Sequence, residues 1–324
     1  MVSLFNAAII FGTVIMFGAL GETVTEKSGN LNLGVPGLMY LGGIAGLIGT
    51  FFYEMNNPDP NKLVCVIIAI VCCFAAAVFG GLIFSVLTIT LRCNQNVAGL
   101  TLTIFGSGVA NFFGGSLNKL AGGVGQISVS TTSSAFRHGV PGLEDMGVIG
   151  KLFFNYGFMV YLAIALAIVL SVFLKRTRQG LALQAVGENP AAADATGINV
   201  TKYKYLATCL GAGISGFGGL FYVMDYTKGT WANDGTIEAL GWLAVALVIF
   251  ATWKPLNNIW GSYLFGVLYW VYFYIEGLTR GSQELFKMLP YLVTIIVLIV
   301  ISMRKKKEDQ PPEALGLSYF REER

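Results

Sequence analysis

Long apolar stretches recur along almost the whole chain. Each is close to the roughly 20 apolar residues that a helix needs to cross a bilayer, and they occupy residues 4–20, 33–53, 62–80, 96–116, 148–174, 203–226, 236–253, 255–276 and 286–303. With 55% hydrophobic and 12% charged residues, the composition lies far from that of soluble domains, in which about a quarter of residues are charged. The sequence therefore predicts an all-α, polytopic integral membrane protein with about nine to ten transmembrane helices.

The basic residues predict which helix ends face the cytoplasm. An odd number of crossings would place the two termini on opposite sides of the membrane. If residues 304–307 are cytoplasmic, the same side also holds Lys27, Arg92, Lys175, Arg176, Arg178, Lys202, Lys204 and Lys254, as the positive-inside rule requires. We therefore expect a transmembrane domain over residues 1–307, an external N-terminus, and a polar cytoplasmic tail over 308–324 that is disordered or loosely attached.

The longest polar interruption covers residues 175–204 and carries basic residues at both ends. Within it, Asn189 can cap a helix, Pro190 occupies the favoured first position, and Gly197 can end the helix in the left-handed conformation. The resulting helix has about two turns, which is far too short to cross a bilayer. It is predicted to lie at the membrane surface and to present Glu188 and Asp194 to a partner.

Several kinds of chemistry are not supported by the sequence. No GxxxxGK[ST] nucleotide-binding loop occurs, since residues 147–151 have the wrong spacing, so ATP hydrolysis by this chain is not expected. The only histidine, His138, has no partner for metal binding or acid–base chemistry, and the five cysteines form no CxxC motif. We expect no catalytic residue, metal or cofactor in this chain.

Acidic residues are predicted to fall at or outside the ends of the apolar stretches. Carboxylates within the membrane usually mark ion-coupled transporters, and the near absence of such groups indicates that transport energy would come from a partner.

Uncharged polar and aromatic residues within the apolar stretches are candidates for a translocation pathway. Polar groups would orient a neutral solute and aromatic rings would supply a stacking surface; the candidates are Asn96, Thr103, Phe105, Asn111, Trp242 and Tyr269. The alternative is that each polar side chain bonds to a neighbouring helix, an interaction worth about 0.6 kcal/mol. The sequence leaves both interpretations open.

A similar ambiguity applies to residues 34–37, Gly-Val-Pro-Gly, at the start of the second stretch. They suit either a broken, re-entrant segment, which is tolerated only where the backbone faces protein or water, or an ordinary turn followed by a capped helix.

The segment TRQGLALQAVGENPAAADATGINVTKYKYLA, residues 177–207, closely resembles the cytoplasmic loop of permeases in ABC importers of the branched-chain amino acid and ribose class. It is most similar to the simple-sugar and nucleoside branch. Residues 21–43 and 241–266 resemble that branch's first loop with its second helix, and its late helix pair. One departure is Pro36, which stands where the family usually has Glu.

The resemblance implies a type II importer permease in the bacterial cytoplasmic membrane. Its expected partners are two ATP-hydrolysing subunits, a second homologous permease and an external substrate-binding lipoprotein, with no role for nucleic acid. Contact with the ATPase is implied for a coupling helix containing Glu188, Asn189, Pro190, Ala193, Asp194 and Gly197. The solute implied is a nucleoside, with a simple sugar as the alternative.

Three other classes remain for comparison. A secondary transporter would carry ionisable residues within the membrane, and a membrane enzyme would carry clustered His, Asp or Cys. A scaffold would account for the apolar stretches but gives no reason for a capped acidic helix between basic flanks.

Overall fold

The computed structural model describes residues 2–120, 128–138, 155–275, 277, 279–304 and 309–320, and within these ranges the named elements are helices. The N-terminal half contains α1 (Val2–Glu26), α2 (Val35–Asn56), α3 (Lys62–Ser85), α4 (Gln95–Leu120), α5 (Ser130–Arg137) and α6 (Phe158–Arg176). The rest contains α7 (Arg178–Glu188), α8 (Pro190–Ala195), α9 (Val200–Phe221), α10 (Thr236–Phe250), α11 (Pro255–Trp270), α12 (Arg280–Lys287) and α13 (Leu289–Arg304). Short π-helical turns extend α3 to Thr90 and α9 to Tyr226.

Seven segments among the described residues are long and apolar enough to cross a membrane. They are Leu4–Glu26, Val35–Asn56, Lys62–Thr90, Gln95–Ser116, Phe158–Arg176, Val200–Tyr226 and Gly281–Val300. The 15-residue α10 and the 16-residue α11 are shorter, yet they pack between longer helices and join in a tight turn. These observations confirm an all-helical membrane protein and agree approximately with the predicted number of crossings.

Helices α1 and α9 form the centre of the bundle, and glycines allow them to approach closely. A Cβ atom on Gly21 would lie 2.2 Å from the carbonyl oxygen of Gly211, and one on Gly219 would lie 1.8 Å from that of Met39 on α2. Small residues at such crossings let helix backbones pack directly, which is the main source of helix association where no water is displaced.

Both ends of the bundle can be identified from contacts. The end that carries α8 also holds the C-terminus of α1, since Gly187 of α7 lies against the backbone of Lys27 and Gly29. The opposite end holds α5, whose Thr132 hydroxyl donates to Glu54 at 2.6 Å. We call these the α8 end and the α5 end. Of the basic residues predicted to share one side, those that the structure describes between Lys27 and Lys254 fall at the α8 end.

Two sequence-based predictions of helix ends are settled by the structure, and a third lies partly outside the described ranges. The first helix does not stop at residue 20 but continues to Glu26. The second begins as a regular helix at Val35, with Pro36 in its first turn, so no re-entrant break occurs there. The predicted stretch 148–174 is represented by α6 from Phe158, and its residues 148–154 lie outside the described ranges.

The C-terminal tail is also different from the expected loose end. The amide of Ala314 donates to the carbonyl of Gly187 at 3.0 Å, and the amide of Gly316 donates to that of Gly29 at 3.1 Å. Asp309 forms a salt bridge with Lys254, in the turn between α10 and α11. Residues 309–320 are therefore attached to the α8 end of the bundle.

Candidate functional site

Helix α8 is the short surface helix that the sequence predicts. The Asn189 side chain accepts a hydrogen bond from the Ala192 amide at 2.9 Å, and Pro190 is the first helical residue. At its other end Gly197 has φ +87°, and the amides of Gly197 and Ile198 donate to the carbonyls of Asp194 and Ala193. These two hydrogen bonds together form a Schellman motif. Both ends of the helix are thus fixed by its own sequence.

The predicted contact residues differ in their exposure. Glu188, Asn189 and Gly197 are exposed and can reach a partner. Ala193 is only 4% exposed and packs in a small cluster with Val186 and Val200, so it anchors α8 to the bundle. The structure therefore divides the predicted set into an outer face and an inner anchor.

Asp194 is held by the tail and does not project freely. It is half-buried, and its Oδ2 accepts a hydrogen bond from the Tyr319 hydroxyl at 3.0 Å. The guanidinium of Arg92, at the end of the α3 extension, lies 4.5 Å from the ring centroid of the next tail residue, Phe320. The tail thereby joins α8 to the connection between α3 and α4.

The first loop, the end of α7 and the C-terminal tail meet at a three-way junction beside α8. Gly187 packs against Lys27 and Gly29 of the first loop, while its carbonyl accepts from Ala314 of the tail. A side chain at Gly187 has no room, since its Cβ would lie 2.3 Å from the Lys27 carbonyl oxygen. Any movement of α8 relative to α1 must therefore displace the backbone contacts of this junction.

Two buried carboxylates at the same end were missed by the sequence analysis. Glu22 and Glu26 lie one turn apart on α1 and are 1% and 2% exposed, although acidic residues were expected at or beyond helix ends. Glu22 accepts from the Asn32 amide at 2.9 Å, and Glu26 accepts from the Trp253 indole. Their spacing of four residues is the sequence signal that could have revealed them, because it places both side chains on one face of a helix that continues past residue 20.

The indole that binds Glu26 comes from an unusual turn. Thr252 and Trp253 both have positive φ, at 55° and 54°, a conformation rarely adopted by bulky residues. Hydrogen bonds to the turn and from Trp253 to Glu26 hold this conformation in place. The buried Glu26 carboxylate therefore connects α1 to the turn between α10 and α11.

The structure does not gather the predicted pathway residues at one place. Thr103 is 3% exposed and donates to the Leu33 carbonyl at 3.0 Å, which joins α4 to the loop before α2. Asn111 accepts from the Trp231 indole at 3.3 Å. The remaining α4 candidates, Asn96 and Phe105, are exposed, and Trp242 is half-buried on α10.

Tyr269, the last candidate, lines an aromatic cavity of about 400 Å³ near the α5 end. Phe11 also lines it, and the Phe11 ring centroid lies 4.8 Å from that of Tyr226, 5.8 Å from that of Tyr269 and 4.8 Å from that of Trp270. Asp234 and Thr236 supply polar groups to its wall. Flat aromatic walls with a few polar groups suit a small planar solute.

Comparison with known proteins gives a consistent family. A family model described as the branched-chain amino acid transport system permease component matches residues 4–298. TsgC13 of Haloferax volcanii, named for glucose ABC transport, is 32% identical, and the alignment covers 98% of both chains. The guanosine ABC transporter permease protein NupQ of Bacillus subtilis is 29% identical, with 98% of this chain and 96% of the relative covered. The nucleoside ABC transporter permease protein NupC of Lactococcus lactis is 30% identical, with 97% and 95% covered.

Proposed function

This chain belongs to the permease component family of the branched-chain amino acid transport system, and from that membership we propose that it imports a nucleoside, with energy supplied by ATP hydrolysis in a partner. It is an ABC permease with several membrane-crossing helices, a transport subunit and not an enzyme. The observation that carries the choice of solute is the nearly full-length match to two relatives named for guanosine and nucleoside transport.

A simple sugar is the second candidate solute. It is favoured by the relative named for glucose transport, which has the highest identity of the three at 32%. Both solutes are neutral, and the predicted pathway residues, among them Asn96, Thr103 and Asn111, are uncharged. The aromatic cavity around Tyr269 favours the nucleoside, because a nucleobase can stack on its rings whereas a sugar alone offers a smaller flat surface.

We further propose that α8 is the contact through which the ATPase moves the permease. The outer face with Glu188, Asn189 and Gly197 is exposed, while Ala193 and the junction at Gly187 tie the helix to the bundle. A helix that is rigid in itself and firmly attached can transmit a push to α1 and α9, and such bundles switch between two discrete packings. On this arrangement the α8 end, and with it the C-terminal tail, is cytoplasmic.

The remaining partners follow from the transporter class. Two ATPase subunits, a second permease of the same fold and an external substrate-binding lipoprotein would complete the importer. The α5 end would then face outward and receive solute from the lipoprotein.

Uptake measurements test the proposal. Cells expressing the permease with its neighbouring subunits are given labelled guanosine, adenosine, ribose and leucine, with and without replacement of the Walker A lysine of the ATPase. We expect nucleoside uptake that is lost with that lysine. Uptake that survives this change but collapses with the proton gradient would identify a secondary transporter instead.

The aromatic cavity has a test of its own. Replacing Tyr269 with Leu removes a stacking surface worth about 1 kcal/mol, or about a fivefold change in affinity. We expect nucleoside uptake to fall by that amount while ribose uptake, if present, changes less. Replacing the exposed Phe52 with Leu is the matched control. Equal losses for both solutes would place nucleobase recognition elsewhere.

A further inference from the structure

A second cavity, of about 670 Å³, lies at the α8 end. Its wall is formed by the start of α9, the connection between α3 and α4, the end of α8 and the tail. Three basic residues line it, namely Arg92, Lys202 and Lys204. It is separated from the aromatic cavity by the length of α9, which at 22 residues spans about 33 Å.

Lys204 is the residue that most directly indicates the charge of a ligand for this cavity. Its side chain is buried, with only 3% of its surface exposed, and it lines the cavity wall. Within the described part of the chain Lys204 forms no ion pair and no side-chain hydrogen bond. Burying an uncompensated ammonium group is strongly unfavourable, so a negatively charged group that enters the cavity would be stabilised there.

The other groups around the cavity favour the same kind of ligand. Lys202 and Arg92 are exposed at its edge, and their charges add to that of Lys204. Asp194 also lines the wall, and its Oδ2 accepts from Tyr319. Its negative charge opposes an anion but is outnumbered by the three basic side chains. The N-terminus of α9 borders the cavity, where the helix dipole attracts anions.

We propose that this cavity binds a phosphate-bearing anion at the surface where α8 meets the tail. Three basic side chains around one cavity match the several oxygens and the charge of a phosphate group. The volume lies in the range of about 300–1,000 Å³ found for small-molecule sites. The phosphate has two possible sources: a soluble phosphate ester, formed by the class of reaction that phosphorylates an imported neutral solute, or the headgroup of an anionic lipid.

The proposal does not depend on which solute the permease carries. Because the cavity is bordered by Asp194 and Gly197 of the α8 segment and by Tyr319 of the tail, a bound anion would connect elements that the ATPase is proposed to move. The site is therefore placed to modulate coupling and not to pass solute.

Equilibrium binding to the complete transporter tests the site. The probe is labelled ribose 5-phosphate, with inorganic phosphate as competitor and ribose as the uncharged comparison, in nanodiscs of zwitterionic lipid. We expect saturable binding of the phosphate ester that is about tenfold weaker or more in Lys204→Met, since a charge-assisted contact is lost. Lys175→Met removes the same charge from an exposed position at the same end and should bind as the native protein does.

A second variant covers the case in which Lys204→Met fails to assemble. Lys202→Gln alters an exposed side chain at the cavity edge and is expected to weaken binding severalfold. A parallel arm uses nanodiscs containing phosphatidylglycerol. If the source is lipid, this lipid will displace the probe from the native protein and will be retained less by Lys204→Met.

Three results would overturn the proposal. The first is the absence of both probe binding and anionic lipid retention. The second is binding that Lys204→Met and Lys202→Gln leave unchanged. The third is binding that appears only after Glu322 and Glu323 are both changed to Gln, which would assign the cavity to the chain's own carboxylates.

Discussion

Replacing Gly187 with Ala is the sharpest single perturbation of the junction between the first loop, α7 and the tail. The added Cβ would lie 2.3 Å from the carbonyl oxygen of Lys27, 3.1 Å from its carbonyl carbon and 3.2 Å from the amide nitrogen of Gly29. All three are backbone atoms, so no side chain can rotate away to make room. The first loop must therefore move away from α7, and the bond from Ala314 to the Gly187 carbonyl must adjust with it.

Overpacking of this kind costs about 1–3 kcal/mol. At about 1.4 kcal/mol per tenfold change, the junction should open about 5- to 140-fold more often. Hydrogen exchange on the assembled transporter measures this in peptides that cover the first loop and residues 309–320. We expect faster exchange in both, together with a fall in ATP-driven uptake, because α8 loses its fixed position relative to α1.

Gly281→Ala is the matched control, since a Cβ there meets nothing within 4 Å and Ala suits a helix. If Gly187→Ala exchanges like the native protein, the close packing at the junction is refuted. If exchange rises but uptake is unchanged, the junction does not position α8 for coupling.

Three further predictions follow from individual side chains. Tyr319→Phe removes the hydroxyl that binds Asp194, which should cost about 1 kcal/mol and make the tail more sensitive to limited proteolysis. Thr103→Val removes the hydrogen bond to the Leu33 carbonyl. If that bond has only a structural role, stability should fall by about 0.6 kcal/mol and the KM for solute should stay constant. A changed KM would show instead that Thr103 contributes to the translocation pathway. Burial lowers the pKa of Lys27, with the nearby Glu188 carboxylate opposing the shift. The unfolded chain therefore holds the proton more tightly, and stability should rise with pH in the window from that lowered pKa up to about 10.4. Unfolding midpoints measured against pH should show this slope, and Lys27→Met should flatten it.

The parts of the structure that could be predicted are those governed by local chemistry. Each apolar stretch had to become a helix, since only hydrogen bonding within the segment satisfies its backbone in lipid. Helix α8 could be predicted in detail because Asn189, Pro190 and Gly197 act within the segment itself. None of these inferences requires knowledge of distant residues.

The buried carboxylates could not be predicted for the opposite reason. Hydropathy places a helix end at the first charged residues, and a carboxylate is expected to remain in water. Glu26 is stabilised by Trp253, which lies 227 residues further along the chain, and no local pattern indicates that partner. The turn that presents Trp253 also depends on positive φ at two residues that are not glycine, which sequence rules disfavour.

The tail was misjudged because polar composition alone indicates disorder. The tail is attached by backbone hydrogen bonds from Ala314 and Gly316 to glycine carbonyls. Such bonds do not depend on side chains, so the composition does not reveal them. The pathway residues remain a prediction for a related reason: a surface shared with a second permease would be completed only in the assembled transporter.

Site-specific photo-crosslinking tests most directly whether α8 is the contact with the ATPase. A photoreactive residue is placed at Ala192, on the exposed face of α8, and in a separate variant at Asp59, which is exposed beyond α2 near the α5 end. We predict an ATPase crosslink from position 192 whose yield changes when ATP hydrolysis is blocked, and none from position 59. Efficient crosslinking of the ATPase from position 59, or none from position 192 in an assembled transporter that imports solute, would contradict the account.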